Sequence, residues 1–286
     1  MVSIRTELIA HGIIPKKSLG QHFLIDRNIL NKVLEAAELE KDDVVLEVGP
    51  GLGAMTLLLA DKVKRVIAVE VDSKLAELLK EKTSDRPNME ILQADILEVD
   101  FHGLCERQGQ PLRVVANLPY QISTPLLFRF LDSKENFLSF TLMLQKEVAI
   151  RMTASPGGKD YGLLSIFTQV VSDLSIRFLI KPSAFFPPPS VDSAVIHMTW
   201  KKEPIIPVHD MEWFKRVVKG CFGYRRKTLL NALKYSGLWP PEDGLERMHR
   251  IGIDPQRRPQ TLTIEEFSRL ADALNGRGES DEEDRL

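Results

Sequence analysis

Two kinds of residue that frame many chains are scarce here. Among 286 residues there are only two cysteines, Cys105 and Cys221, far apart in sequence. They cannot build a disulfide scaffold or supply a metal site between them, so no metal is expected. Long apolar runs are also missing. No window offers eighteen consecutive apolar residues, and the opening Met-Val-Ser-Ile-Arg-Thr-Glu lacks a basic stretch leading into an apolar one. The expectation is a cytoplasmic protein with no membrane partner. Two nucleotide signatures are absent as well: no Lys follows the glycine turn at residues 49–53 as in a P-loop, and that turn is not the G-x-G-x-x-G of dinucleotide enzymes.

What is present is an ordinary globular composition, 43% apolar and 27% charged, with a formal charge of −2. The charge is unevenly spread. The last ten residues hold five acids and two bases, whereas Lys201 to Leu270 holds fourteen Lys and Arg against nine Asp and Glu. A local excess of this kind suits a polyanion, and a solvated helical surface would give the same count.

The periodicity reads as alternating helix and buried strand. Strands are expected at Val44 to Val48, Arg65 to Val69, Met89 to Ala94, Leu112 to Ala116 and Phe137 to Gln145, then at Ser175 to Ile180 and Ala194 to Trp200. The last two, with no helix between them, suggest an antiparallel hairpin closing the sheet. Helices are expected at Asn28 to Leu39, Ala54 to Ala60, Lys74 to Lys82, Thr124 to Leu131, Lys146 to Met152 and Tyr161 to Val171. Beyond a linker at Pro204-Ile-Ile-Pro-Val, Met211 to Ser236 and Ile264 to Leu274 read as helices of a small all-α domain. The fold class is therefore α/β, a doubly wound and mostly parallel sheet. The domains are expected at 1–203 and 204–275, with a disordered acidic tail over 276–286.

Four features fall at the carboxyl ends of the expected parallel strands, where such sheets bind ligands. The first is Gly49-Pro50-Gly51-Leu52-Gly53, whose glycines let the chain turn sharply and expose main-chain N–H groups. The second is Glu70, which can accept both hydroxyls of an adenosine ribose. Asp72 competes for that role, but its place before a helix makes it the N-cap. The third is Asp95, which can accept an adenine amine or serve as a plain turn residue. The fourth is Asn117-Leu118-Pro119-Tyr120. An amide oxygen and a main-chain carbonyl beside Pro119 can each accept one N–H of an exocyclic amine, while the Tyr120 ring covers the base. An ordinary β-turn would use some of the same residues.

The implied ligand contains adenosine but need not contain a pyrophosphate. S-adenosylmethionine fits, because its sulfonium already activates the methyl group. Two carbonyl acceptors drawing on the hydrogens of an adenine N6 would favour its reactive geometry, so no titrating base is required. No His or Cys lies beside the motif. Phe185 and Phe186 stand on a stiff Pro-rich segment, where one could stack on a base and the other fill the core. Arg225, Arg226 and Lys227, with Tyr224, could grip phosphates or form a solvated face.

Over residues 10 to 275 the chain resembles the KsgA-type small-subunit ribosomal RNA adenine dimethyltransferases. The match rests on Lys17-Ser-Leu-Gly-Gln-His-Phe-Leu24, Glu47-Val-Gly-Pro-Gly-Leu-Gly53, Asn117-Leu-Pro-Tyr120 with Ile122-Ser-Thr-Pro125, Phe185-Phe-Pro-Pro-Pro-Ser-Val-Asp-Ser193 and Arg225-Arg-Lys-Thr-Leu-Leu-Asn231. The resemblance implies a class I, Rossmann-like methyltransferase fold with a seven-stranded sheet and a helical C-terminal domain. It implies that His22, Leu24, Gly49, Gly51, Glu70, Asp95 and Asn117 bind S-adenosylmethionine, and that Phe185 rather than Phe186 helps hold the target base. It further implies RNA contact by Arg225, Arg226 and Lys227. The substrate would be two adjacent adenosines near the 3′ end of 16S rRNA, in the small subunit or its precursor, with a role in subunit biogenesis. A monomer is expected. Departures at Gln121, Gly223-Tyr224 and Leu230 touch RNA-contact details only. Rival readings are an Erm-type large-subunit enzyme, against which the triple proline and Arg-Arg-Lys speak, and a non-catalytic assembly or transcription factor, against which the intact Asn117 motif speaks.

Overall fold

A computed structural model describes residues 4–202, 210–240 and 242–275. The linker expected at Pro204 to Val208 and the acidic tail at 276–286 lie outside the described residues. In chain order the elements are α1 (Ile4–Ala10), β1 (Phe23–Leu24), α2 (Arg27–Ala36), β2 (Val44–Val48), α3 (Ala54–Ala60), β3 (Arg65–Glu70), α4 (Ser73–Lys82), β4 (Met89–Gln93), α5 (Phe101–Gln108), β5 (Leu112–Asn117), α6 (Ser123–Asp132) and β6 (Phe137–Gln145). There follow α7 (Lys146–Thr153), α8 (Leu163–Val171), β7 (Ser172–Ile180), β8 (Phe185–Phe186), β9 (Ser193–Trp200), α9 (Met211–Gly223), α10 (Leu229–Tyr235), α11 (Gly244–Arg250) and α12 (Ile264–Leu274).

Seven strands form one sheet in the order β4-β3-β2-β5-β6-β9-β7. Strands β2 to β6 pair in parallel, and β9 runs antiparallel to β6. The reason lies in the strand compositions. Every residue of β2 is buried, as are five of the six in β3, which is what a strand covered on both faces requires. Fully burying each Val, Leu or Ile contributes about 1.5–3 kcal/mol. At the sheet's end, β7 alternates along Ser-Asp-Leu-Ser-Ile-Arg-Phe-Leu-Ile, the mark of a strand with one wet face.

The chain divides into two compact units, Met1–Ala149 with Leu174–Trp200, and Ile150–Asp173 with Lys201 onward. Residues 150–173 thus group with the C-terminal helices, unlike the boundary expected at 203/204. A second difference is the helix expected from Met211 to Ser236, which is two. Helix α9 stops at Gly223, and Thr228 caps α10 by accepting from the Asn231 N–H at 3.4 Å. The apolar spacing runs through the break without a proline to mark it. No helix among the described residues is long and apolar enough to cross a membrane.

Candidate active site

The carboxyl edge of β2, β3 and β5, together with the segment 18–24, encloses a cavity of about 180 Å³. Its floor is the glycine turn. Gly49, Gly51 and Gly53 all hold positive φ, at 65°, 57° and 83°, a region that costs other residues free energy. Space is a second constraint: a Cβ on Gly51 would lie 2.9 Å from the Phe23 ring. The turn is braced by Glu70. One carboxylate oxygen accepts the Gly51 N–H at 3.1 Å, and the other accepts the Asp72 N–H at 3.0 Å. Burial pushes the Glu70 carboxyl up, against the pull of those two N–H groups. A carboxylate has about four acceptor positions, so capacity remains to receive a ribose hydroxyl.

Asp72 is the N-cap of α4, accepting from the Lys74 N–H at 3.2 Å. Sequence reasoning assigned that much and missed its second task. It also accepts from Gln21 at 3.0 Å and pairs with Lys16 at 2.8 Å, which fastens the segment before β1 to the sheet edge. Burial works against the Asp72 charge, yet the hydrogen bonds from Lys16 and Gln21 and the Lys16 charge hold its carboxyl below the ordinary range.

The Asn117 to Tyr120 segment is fixed group by group. Asn117 Nδ2 donates to the His22 carbonyl at 2.9 Å, which leaves Oδ1 as the acceptor. The Leu118 N–H donates to Met143 at 2.9 Å, the Pro119 carbonyl accepts from the Ile122 N–H at 3.2 Å, and the Tyr120 carbonyl accepts from Ser123 Oγ at 3.0 Å. Of the main-chain carbonyls beside Pro119, that of Leu118 is the one left to receive a ligand N–H. The Tyr120 hydroxyl lies 2.6 Å from Ser193 Oγ, and its ring centroid is 5.7 Å from that of His22. Burial raises the Tyr120 pKa, so it remains a phenol rather than a base. His22 Nδ1 donates to the Pro187 carbonyl at 2.7 Å, which fixes its tautomer.

Glu47 was quoted only as part of the glycine motif, yet it lines the same cavity at 1% exposure. Its Oε2 has no hydrogen-bond partner, and neither has the buried Thr56 Oγ1. Burial pushes its carboxyl up to about 8; the Thr56 hydroxyl lowers it and the Glu70 charge raises it further. The available signal was a Glu inside the otherwise apolar run Val44-Val-Leu-Glu-Val.

A family model described as "Ribosomal RNA adenine dimethylase" matches residues 14–276. The chain belongs to that family. Among curated relatives, "Ribosomal RNA small subunit methyltransferase A" of Geobacter metallireducens is 45% identical over 93% of this chain and 98% of its own length. The protein of the same name from Pelotomaculum thermopropionicum is 45% identical over 95% of each chain. Among solved structures, a dimethyladenosine transferase from Plasmodium falciparum superposes with a TM-score of 0.78 at 26% identity, covering 90% of this chain and 98% of that one. The 23S rRNA methyltransferase ErmE superposes at 0.68 with 28% identity, covering 88% and 99%.

Within this adenine dimethylase, His22, Leu24, Gly49, Gly51, Glu70, Asp95 and Asn117 to Tyr120 all line the one cavity. Asp95 also fills its turn role, accepting the Leu97 N–H at 2.8 Å. Phe185 does not line the cavity itself, yet it shares a core cluster with Leu24, Leu30 and Met143, which do. It lies opposite Leu24 in the β1–β8 pair, is 3% exposed, and packs with Leu24, Leu30 and Ile180 in the core. Successive strand residues face opposite sides, so Phe186 turns the other way, against Phe23, Leu52 and Leu75 of the cavity wall. In the helical unit, Arg226 and Lys227 are exposed. Arg225 donates to Gln260 at 2.8 Å and to the Lys159 carbonyl at 2.6 Å, which engages part of its guanidinium as an internal clamp.

An adenosyl sulfonium suits what the cavity offers. The orphaned oxygen of Glu47, the remaining acceptor capacity of Glu70, and the closeness of Phe23 to the Gly51 turn together form a cradle with acceptors and no fixed cation inside it.

Proposed function

We propose that the protein dimethylates N6 of two adjacent adenosines in the hairpin near the 3′ end of 16S rRNA, using S-adenosylmethionine, during small-subunit biogenesis. The observation that carries this reading is the orientation of Asn117. With its amino group held by the His22 carbonyl, its oxygen and that of Leu118 are left as neighbouring neutral acceptors on residues that line the cavity. They would receive the two hydrogens of an adenine N6, and the Tyr120 ring would cover the base. Drawing on both hydrogens disposes the nitrogen lone pair towards attack, and because these acceptors are preorganised the effect needs no rearrangement during reaction. Neither oxygen titrates, so the proton leaves to solvent after the methyl group has transferred.

The residues that would hold the cofactor are the Gly49 to Gly53 turn, Glu70 for the ribose, Asp95 for the adenine amine, and His22 and Leu24 from the segment that closes the cavity. When bound, S-adenosylmethionine supplies an electrophilic methyl group on a positively charged sulfur. One chain can supply every group this reading uses, and it is consistent with a monomer acting in the cytoplasm.

The same acceptors would serve a large-subunit adenosine. The choice of the small subunit is supported by relatives at 42–45% identity that carry the small-subunit name, against 28% for ErmE. The test supplies labelled cofactor with undermethylated small subunits and, separately, large subunits, and maps dimethyladenosine by mass spectrometry of RNA fragments. Label confined to a pair of adenosines near the 3′ end of 16S rRNA is expected; label in 23S rRNA would replace this reading with the Erm-type one.

A further inference from the structure

From Trp213 to Pro240 the chain carries seven Lys or Arg and not one Asp or Glu. Two tyrosines within that stretch come together across the break between α9 and α10. The ring centroids of Tyr224 and Tyr235 are 5.3 Å apart, with the planes inclined by 35°. The residues are 40% and 60% exposed. Neither ring is a core residue, and each keeps a large part of its surface in water. One cation stands on the pair and others lie nearby in the chain. Lys227 Nζ lies 5.8 Å from the Tyr235 centroid, Lys234 Nζ lies 5.9 Å from that of Trp239, and Arg226 is exposed.

The stretch therefore joins exposed aromatic rings to positive charge, with no acid of its own. An acidic peptide would be met by the cations alone and would leave the rings idle. A duplex backbone would do the same, because its bases are already stacked. An unpaired nucleotide presents both a flat face and a phosphate on each side, and proteins that bind single-stranded RNA combine aromatic platforms with basic side chains for that reason. We propose that Tyr224 and Tyr235 form a stacking platform for an unpaired base of ribosomal RNA, with Arg226, Lys227 and Lys234 taking the flanking phosphates. The proposal rests on the small-subunit reading above and adds a base contact to what was expected to be a phosphate grip only.

Rings and cations then contribute differently to salt dependence, since only charge neutralisation releases counterions. Binding of the full-length protein to undermethylated small subunits is measured over a salt series for the unaltered protein and for Y235A, Y235L, Y235F, Y224A/Y235A and K227Q. The double alanine variant is expected to bind about 5- to 100-fold more weakly at every salt concentration with an unchanged slope of log affinity against log salt. Y235F should restore binding. Y235L, which keeps apolar bulk beside Tyr224 but has no π-face, should not. K227Q should lower the slope by about one. A photoreactive benzoylphenylalanine in place of Tyr235 should cross-link to 16S rRNA.

Undiminished affinity of the tyrosine variants, a slope that changes with them, or a cross-link to a ribosomal protein would overturn the platform while leaving the methyl-transfer reading intact. Failure of the unaltered protein to bind small subunits would overturn both. Thermal unfolding of each variant separates a lost contact from a lost fold, and Y235F against Y235L decides the matter even if the double variant melts early.

Discussion

The sheet edge and the turn between α9 and α10 are both rich in polar side chains, and they differ in how many of those are already engaged. At the sheet edge Glu70, Asp72, Asn117, His22 and Tyr120 each make a hydrogen bond that fixes them. Only a few atoms stay open, and their positions define what the cavity can hold. At the turn the engagement is reversed. Arg225 is tied down, whereas Arg226, Lys227, Tyr224 and Tyr235 stand in water. A site that must orient one nitrogen needs preorganised acceptors, and a surface that follows an RNA backbone can keep its side chains solvated until contact.

Breaking the fixed side of this comparison should have the largest consequence. N117A removes one of two acceptors, and the methyl-transfer rate constant in single turnover should fall about 10²- to 10³-fold. Cofactor affinity by calorimetry should change little; an unaltered rate would remove Asn117 from the chemistry. Next in size, E70A leaves the buried N–H groups of Gly51 and Asp72 without their acceptor, at about 1–3 kcal/mol each. A lower thermal midpoint and weaker cofactor binding are expected together, and loss of neither would show that the brace is dispensable.

Glu47 sharpens the comparison through pH. Its carboxyl keeps its proton in the folded protein up to about 8, whereas the unfolded chain loses it near 4.5. Across that window the native state binds more protons than the unfolded state, so this group makes stability fall as pH rises, and the trend levels above the upper value. In E47Q, which is isosteric and neutral, urea unfolding should show a flatter dependence on pH over the same range. An unchanged dependence would mean that Glu47 is already ionised. The smallest effects belong to the turn. R225Q should lower the thermal midpoint by freeing its clamp on Lys159 and Gln260. R226Q should leave that midpoint alone and make RNA binding less salt-dependent by about one unit of slope. Identical behaviour of the two would erase the distinction between clamp and contact.

Strands β2 and β3 were legible because burial on both faces demands a nearly continuous apolar run, a pattern that polar surface elements do not share. Glu70 and the three glycines were legible because a strand followed by a turn admits few residue types at those positions. Helices α1, α5 and α11 were missed. For α5, the sequence Phe-His-Gly-Leu-Cys-Glu-Arg-Gln shows only a weak apolar stripe, and its ends are set by the Asp100 cap and by Gly109 at φ 69°. The inward turn of Phe185 depends on pairing β1 with β8, residues far apart in sequence, and no local pattern encodes that. The same holds for Lys16 on Asp72 and Arg225 on Lys159.

The central claim is that two non-titrating oxygens, those of Asn117 and Leu118, ready the target nitrogen. Its most direct test is the rate constant for a single methyl transfer at saturating cofactor and small subunits, followed from about pH 6 to about pH 8. The acceptors described here give a rate that stays level across the range. A rate that climbs tenfold per pH unit before reaching a plateau would place a titrating base at the nitrogen and contradict the account.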